Sequence, residues 1–597
     1  MSVREHPRRV TPLAIGIVVI ACFVASAAVA QPILWPNTKP KGGEAEVYLG
    51  QKLWLRLRTA APADQAAALV DVLGDALLTA PLSADVVTKR GDQGACQVFL
   101  GERLLVTATR EEAAAQKSTP EGLAGLWAGR LKHALSGSYV AVSAGASVDV
   151  PLGEGRFVRL AGPGQAKLVA VVEPRGVASV RNFGPKLWVA GNNPGDAKLR
   201  LATADGKVTV PIRVRPWAAA VPGTITVPVT AQLKPGEWAD MAKAAVACSV
   251  VGRPGAEVHT DLSAVAWPSF TARVTAQAPN CFPIAALTEV EAKVAVQDIA
   301  EPSQVWVSNY PERVKKARTL LRDEIDAAPR AVRLLWHHVN TSPEPLWIGV
   351  RICNYGAERA KFAWTGTAAG PGDDEVYIGH IAAAGYLDLF RRKAAMILEL
   401  APASSVEVDA IRTPPGLIAS GVASLALLQG GQVVVEVVAH SDPPPGSAQA
   451  LDPGARLPER QTHLDFPGVV EQTAEYKVGG PWTFVHLGRT PGANEHGRQL
   501  LGNYGVLYWL RFVLNNPTAA ATDVELDVEG GAGAARACFL LDGKLVETPL
   551  LNPSRDFVAY KWHVEAGKSR EVIITTMPQS GSNYPVTLIL RTPAGQR

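Results

Sequence analysis

The apolar positions of this chain fall into three patterns, and each predicts a different kind of element. From Leu13 to Ala30 the run is continuous and carries no charge. Between 66 and 135, apolar residues recur at three- and four-residue spacing, which is one face of a helix. From about 147 onward the runs shorten, alternate with polar residues and are punctuated by Gly, Pro, Asn and Asp, as strands and turns are.

The first pattern reads as an export signal over residues 1–30. Arg4, Arg8 and Arg9 precede the apolar run, and Ala28-Val29-Ala30 before Gln31 is a small-x-small cleavage pattern. Two other fates compete with cleavage. Val19-Ile20-Ala21-Cys22 resembles a lipobox, which would leave a lipidated Cys22. The run also has the minimum length for an uncleaved anchor. No later stretch is long and apolar enough for a span, so no membrane span is expected in the mature chain.

The second pattern predicts a small α/β domain over 31–140. Val47-Tyr48-Leu49-Gly50-Gln51-Lys52-Leu53-Trp54 and Val98-Phe99-Leu100-Gly101-Glu102-Arg103-Leu104-Leu105 echo each other as tight hairpins turning at Gly. A helix over 66–78 keeps Leu69, Val70, Leu73, Ala76 and Leu77 on one face. A second opens at Thr119-Pro120, a cap followed by Pro at the first helical position, with Leu123, Leu126, Trp127, Leu131 and Leu135 as its stripe.

The third pattern begins with an Ig-like domain over 145–216, in which Asp205-Gly206 is a hairpin signal. Val150-Pro151-Leu152-Gly153, Glu173-Pro174-Arg175-Gly176-Val177-Ala178, Leu187-Trp188-Val189-Ala190-Gly191, Pro194-Gly195-Asp196-Ala197 and Asp205-Gly206-Lys207 follow in order. Over 150–215 this resembles the N-terminal domain of pilus-assembly secretins and the related bacterial Ig-like domains of surface proteins. The likeness lies in turn residues. It implies a fold and an envelope address, and it transfers no catalytic residue. Nothing downstream resembles the membrane barrel of a secretin pore.

Residues 217–300 suggest another small α/β domain, with a strand at 224–230, a helix opening at Pro235-Gly236-Glu237 and a strand at 270–274. The rest contains a diverged repeat. Leu346–Asn354 aligns with Leu507–Asn515, Ser405–Val408 with Ser569–Val572, and Ser420-Gly421 with Ser580-Gly581. Two β-sandwiches are expected, 301–441 with an inserted helix near 385–396, and 466–597, joined by a Pro-rich linker over 442–465. The fold class is thus mainly β with α+β modules, a multidomain chain of Ig-like β-sandwiches plus small α/β domains.

Composition supports this reading. Among 597 residues, 54 Gly and 45 Pro exceed ordinary usage and suit a turn-rich chain. The net charge of +4 falls to +2 once three Arg and one Glu leave with residues 1–30, which argues against a nucleic-acid partner. Of six cysteines, Cys96, Cys248, Cys281, Cys353 and Cys538 lie beyond the signal. That is too few for a disulfide framework, although Cys248 and Cys281 fall in one expected domain and could pair.

The best chemical constellation is Asp373, Asp374 and Glu375 followed by His380. Three carboxylates after Gly370-Pro371-Gly372 could hold Ca²⁺, and His380 would suit Zn²⁺; the competing reading is an acidic cap on a helix. His337 and His338 are adjacent on a strand and must point to opposite faces, so only one could meet His380. Glu495-His496 with His486 is a weaker acid–base pair, and Ser580-Gly581-Ser582 has no base in sight. Trp347, Trp364, Trp482, Trp509 and Trp562 would bind sugars only as an exposed row; packed inside, they are core.

The expected function is an exported, non-enzymatic cell-envelope or surface protein, a structural, adhesion or assembly scaffold. It would be secreted, periplasmic or surface-bound, with an envelope or extracellular protein or polysaccharide as partner. A carbohydrate- or polymer-binding protein is the alternative. A metal-dependent hydrolase using the Asp373–His380 region is the second.

Overall fold

The computed structural model describes residues 33–593 apart from 35, 42, 50–51, 59–60, 80–84, 137–138, 144–146, 204–205, 263–264, 311, 452–455, 460–464 and 554. The apolar run, its cleavage pattern and Cys22 lie outside the described residues. The fold is mainly β with a few helices, and the chain divides into two compact units at Pro216 and Trp217.

The first unit opens with two three-stranded meanders, each followed by helix. Pro36–Lys41, Glu44–Leu49 and Lys52–Leu57 precede the helix Pro62–Thr79; Val86–Arg90, Cys96–Leu100 and Arg103–Ala108 precede Arg110–Ala115 and Pro120–Leu135. The echoed hairpins turn between Leu49 and Lys52 and between Leu100 and Arg103, as the sequence predicts. In both, the strand after the turn carries a bulge, at Trp54 and at Leu105, and each bulged residue is tucked into the core. The cap at Thr119 forms, its hydroxyl accepting the Gly122 N–H at 3.1 Å. Leu126, expected in the stripe, is 48% exposed; Ala124 and Ala134 pack inside instead.

Residues 140–215 form a sandwich of a five- and a four-stranded sheet. The expected boundary near 140–145 shifts, because Val140–Val142 pairs with Gly155–Ala161 and, in parallel, with Ile33–Leu34. The Gly206 hairpin forms, with Thr203 opposite Gly206.

In the second unit, the separate small α/β domain expected over 217–300 does not close on itself. Thr224–Val229 pairs in parallel with Ile284–Val294 and, at Val229 and Met396, with Met396–Leu400. The sheet then runs on through Ala360–Gly372, Ile418–Gln429, Arg330–Asn340, Gln304–Ser308 and Asp465–Pro467. A five-stranded sheet of Arg318–Ala327, Gly431–His440, Leu346–Asn354, Ser404–Thr413 and Gln449–Ala450 completes this sandwich. The 442–465 stretch is therefore anchored at both ends by strand pairing. The inserted helix spans Glu375–Arg391, starting ten residues and ending five residues earlier than expected; Met396–Leu400 is strand.

The C-terminal sandwich packs Val469–Lys477, Leu507–Asn515, Ser569–Thr576, Cys538–Leu541 and Lys544–Glu547 against Thr483–Leu487, Val586–Arg591, Thr522–Gly530 and Asp556–Val564. The repeat is one residue out of its expected register: Asn354 faces Ser404 and Asn515 faces Ser569, so Ser404 rather than Ser405 matches Ser569. The turn amide differs by one residue. Asn354 donates to the Glu358 carbonyl and accepts from Gly356 N–H, whereas Asn516, not Asn515, donates to Ala520 and accepts from Thr518. Asn340 makes the same clasp with Glu344 and Ser342. The proposed match of Ser420-Gly421 with Ser580-Gly581 fails, since the first pair lies mid-strand and the second in a loop.

The two sandwiches meet in one apolar cluster, while the first keeps a separate interior core around Trp238, Trp336 and Trp364. Val305, Val307, Leu335, Ile378, Leu387 and Val422 join Phe466, Val485, Leu507, Phe512 and Met577 in a single apolar cluster. Arg333, 1% exposed, reaches through this junction: its guanidinium donates to the Gly468 carbonyl at 2.7 Å, to the Gly505 carbonyl at 3.2 Å and to the Tyr386 hydroxyl at 3.1 Å.

Candidate functional site

A cleft of about 1220 Å³ opens where the two sandwiches meet. Its floor is the outer face of the C-terminal sheet. Period-two alternation sets Glu471 and Thr473, Trp509 and Arg511, and Ile573 and Thr575 on that face, and the strand registers place Glu471 beside Trp509 beside Thr575. The opposite wall is the C-terminal end of the helix Glu375–Arg391, contributing Tyr386, Phe390 and Arg391, together with the segment 296–302. Tyr386 is fixed twice, sharing a hydrogen bond with Ser424 Oγ at 2.6 Å and accepting from Arg333. The lining mixes aromatic faces with both signs of charge, the equipment for an extended polar ligand.

The residues singled out by sequence are dispersed. Asp374 is the helix cap, its carboxylate accepting the Tyr377 N–H at 2.9 Å, and Asp373 is exposed beside it. His380 is 3% exposed and held between Gln579 at 2.9 Å and Glu547 at 2.7 Å. The expected set Asp373, Asp374, Glu375 and His380 therefore does not converge, because the helical rise carries His380 away from the cap and into the interior. Among the described residues, the group that does converge is Glu312, His337 and Glu375, with candidate ligand atoms all within 4.8 Å of one another. Glu312, which sequence reasoning passed over, carried no local signal; it comes near only through strand pairing.

His337 and His338 do face opposite ways: His338 Nε2 meets Ser308 Oγ at 2.9 Å, and His337 is buried with neither ring nitrogen bonded. Burial pushes His337 down to about 4. His486 bonds Thr587, and His496 lies beside its neighbour Glu495, so they form no shared acid–base pair. The Ser580–Ser582 loop has a packing role. Gly581 abuts the Glu375 carbonyl, and Ser582 Oγ accepts the Arg536 N–H.

Trp364 and Trp562 are buried, each donating to a carboxylate, Asp409 and Asp542 respectively, at 3.2 Å. Trp347 and Trp509 are half-buried, and Trp482, 40% exposed, lies under Arg591. These five form no single exposed row. The five described cysteines are free thiols, Cys248 and Cys281 included. Burial raises Cys248 and Cys353 to about 12, far from a reactive thiolate.

No helix among the described residues is long and apolar enough to cross a membrane. No protein-family model matches this chain, and no curated protein sequence does either. Similar solved structures include domains 5–6 of the S-layer protein SbsC, at 13% identity over 26% of this chain and 97% of that one, with a TM-score of 0.12. The M60 catalytic domain with two CBM51 domains from Clostridium perfringens ZmpB matches at 7% identity over 77% of this chain and 55% of that one, TM-score 0.17. The titin Ig tandem A164–A165 matches at 11% identity over 27% and 100%, TM-score 0.13. Similarity at this level says nothing of activity or partner.

Proposed function

We propose that this chain is an exported scaffold of the cell envelope or surface, built to hold Ig-like modules in fixed relation, and that binding rather than catalysis is its work. The shared apolar cluster of residues 301–597 carries this reading. Two sandwiches that bury one apolar cluster and one arginine between them act as a single stiff body, which suits a spacer or an assembly platform. The signal-like first thirty residues and the secretin-type turn residues of 150–215 support an envelope address. Cell fractionation with N-terminal sequencing tests the address, and crosslinking in the intact envelope tests the role. Envelope recovery with a chain beginning at Gln31 and a reproducible crosslinked neighbour are expected. A cytoplasmic chain retaining Met1 overturns the proposal.

The second reading, a polysaccharide or other polymer binder, is favoured by the cleft, where the half-buried Trp509 and Phe390 lie amid polar groups. On that reading, Trp509→Ala lowers affinity for isolated envelope polysaccharide by about tenfold or more, measured by calorimetry. No binding by the unmodified chain sinks it.

A further inference from the structure

We infer that Glu312, His337 and Glu375 form a binding site for a divalent transition-metal ion of zinc's class. Three elements bring them together. His337 belongs to the strand Arg330–Asn340. Glu312 follows the strand Gln304–Ser308, and its backbone carbonyl accepts the Val339 N–H at 2.8 Å, which ties it beside the histidine's strand. Glu375 is the first residue of its helix, fixed by the Asp374 cap and by Gly581, where an added Cβ would come within 2.1 Å of the Glu375 carbonyl.

The observation that points to a ligand is the imidazole. His337 is 3% exposed, and both of its ring nitrogens lack a hydrogen-bond partner. Leaving such a group unsatisfied in the interior is costly, and native chains rarely do so without a reason. What it faces is two exposed carboxylates, Glu312 and Glu375. A dication would satisfy the imidazole and neutralise both acids at once.

The geometry is close to what coordination needs. Bonds of about 2.0–2.2 Å place neighbouring ligand atoms roughly 3–3.5 Å apart. The two glutamates are exposed and flexible, so small rotamer changes close the present spacing. One imidazole nitrogen with two carboxylate oxygens is a borderline donor set. It favours zinc, cobalt, nickel or manganese over calcium, which prefers six to eight oxygens. Remaining positions face solvent through the exposed glutamates. The ion would fasten the segment after one strand, the middle of another and a helix start. That helix start is where the 580–582 loop of the C-terminal sandwich presses in. This site shares only Glu375 with the Asp373–His380 constellation.

The test is titration of the chelator-stripped full chain with ZnCl₂ by calorimetry, with Co²⁺ absorption as a second readout. One equivalent is expected to bind at micromolar or tighter affinity. The Glu312→Gln/Glu375→Gln variant, altered only at exposed positions, should lose at least tenfold in affinity while melting near the unmodified metal-free chain. Each single glutamine variant should lose less than the pair. His380→Gln should bind as the unmodified chain does. Absence of stoichiometric binding, a loss below tenfold in the double variant, or a loss caused by His380→Gln instead overturns the assignment.

Discussion

Asp409 is a carboxylic acid whose ionisation its surroundings oppose. Burial, with Asp240 nearby, raises its carboxyl from an ordinary value of 3.8 to about 7, despite the hydrogen bond from Trp364 Nε1. A raised folded value makes the folded chain hold a proton that the unfolded chain releases. Stability from this group is therefore full below about pH 4 and falls as pH rises to about 7. Asp409→Asn keeps the acceptor for Trp364 and tolerates the left-handed backbone there, φ +53°. It should stabilise the protein by about 2 kcal/mol at pH 8 and flatten the decline in melting temperature between pH 4 and 7; no gain at pH 8 would refute this account. Asp388 behaves in the opposite sense. Its burial is outweighed by Lys234, Arg391 and Arg392, which hold it at about 2. The link it makes between Pro235–Ser249 and Glu375–Arg391 is complete above about pH 4 and is lost as pH falls towards 2. Local chemistry of this grain was only partly legible in sequence. The Thr119 cap was readable because its signal is contained in two residues. The choice of Asn516 over Asn515 as turn amide was not, since both suit the turn and strand register decides.

At the scale of elements, the helix Glu375–Arg391 organises the middle of the chain. Its cap is worth about 1 kcal/mol, so Asp374→Ala should lower stability by that amount in denaturant titrations. One turn on, Gly379 meets the Ser580 carbonyl so closely that a Cβ would sit 1.9 Å away. Gly379→Ala must push helix and loop apart, at a cost of about 1–3 kcal/mol. A chain that melts like the unmodified one would show that this contact is looser than described. The helix starts ten residues before its expected place because Gly385 and the alanines around it blur its apolar period, although the acidic cap reading of residues 373–375 already pointed to a helix start there. The meeting of His337 with Glu375 and Glu312 was hidden for a different reason. The three residues are brought together by a parallel strand pairing and by the helix that links two antiparallel strands, neither of which leaves a trace in local spacing.

At the scale of the molecule, the modular reading of the sequence was right about sheets and wrong about independence. Seven short strands with turn signals announce a sandwich wherever they occur. Nothing in 217–300 announces that Val229 will pair with Met396, or that Val305 and Leu335 will pack against Phe512's sandwich. Residues 217–597 should accordingly melt as one calorimetric transition, and two resolved transitions there would contradict a shared apolar cluster. Arg333→Met tests the same joint at its centre. Removing the guanidinium leaves the carbonyls of Gly468 and Gly505 and the Tyr386 hydroxyl without their donor, and should cost about 3 kcal/mol.

That joint also bears on ancestry. Repeated sandwiches are usually shuffled between genes one at a time, like beads. Here a recombination between residues 441 and 466 would divide the joining cluster and strip the strand Gln304–Ser308 of the first piece of its edge neighbour. The pair is therefore the smallest heritable piece of this half of the chain.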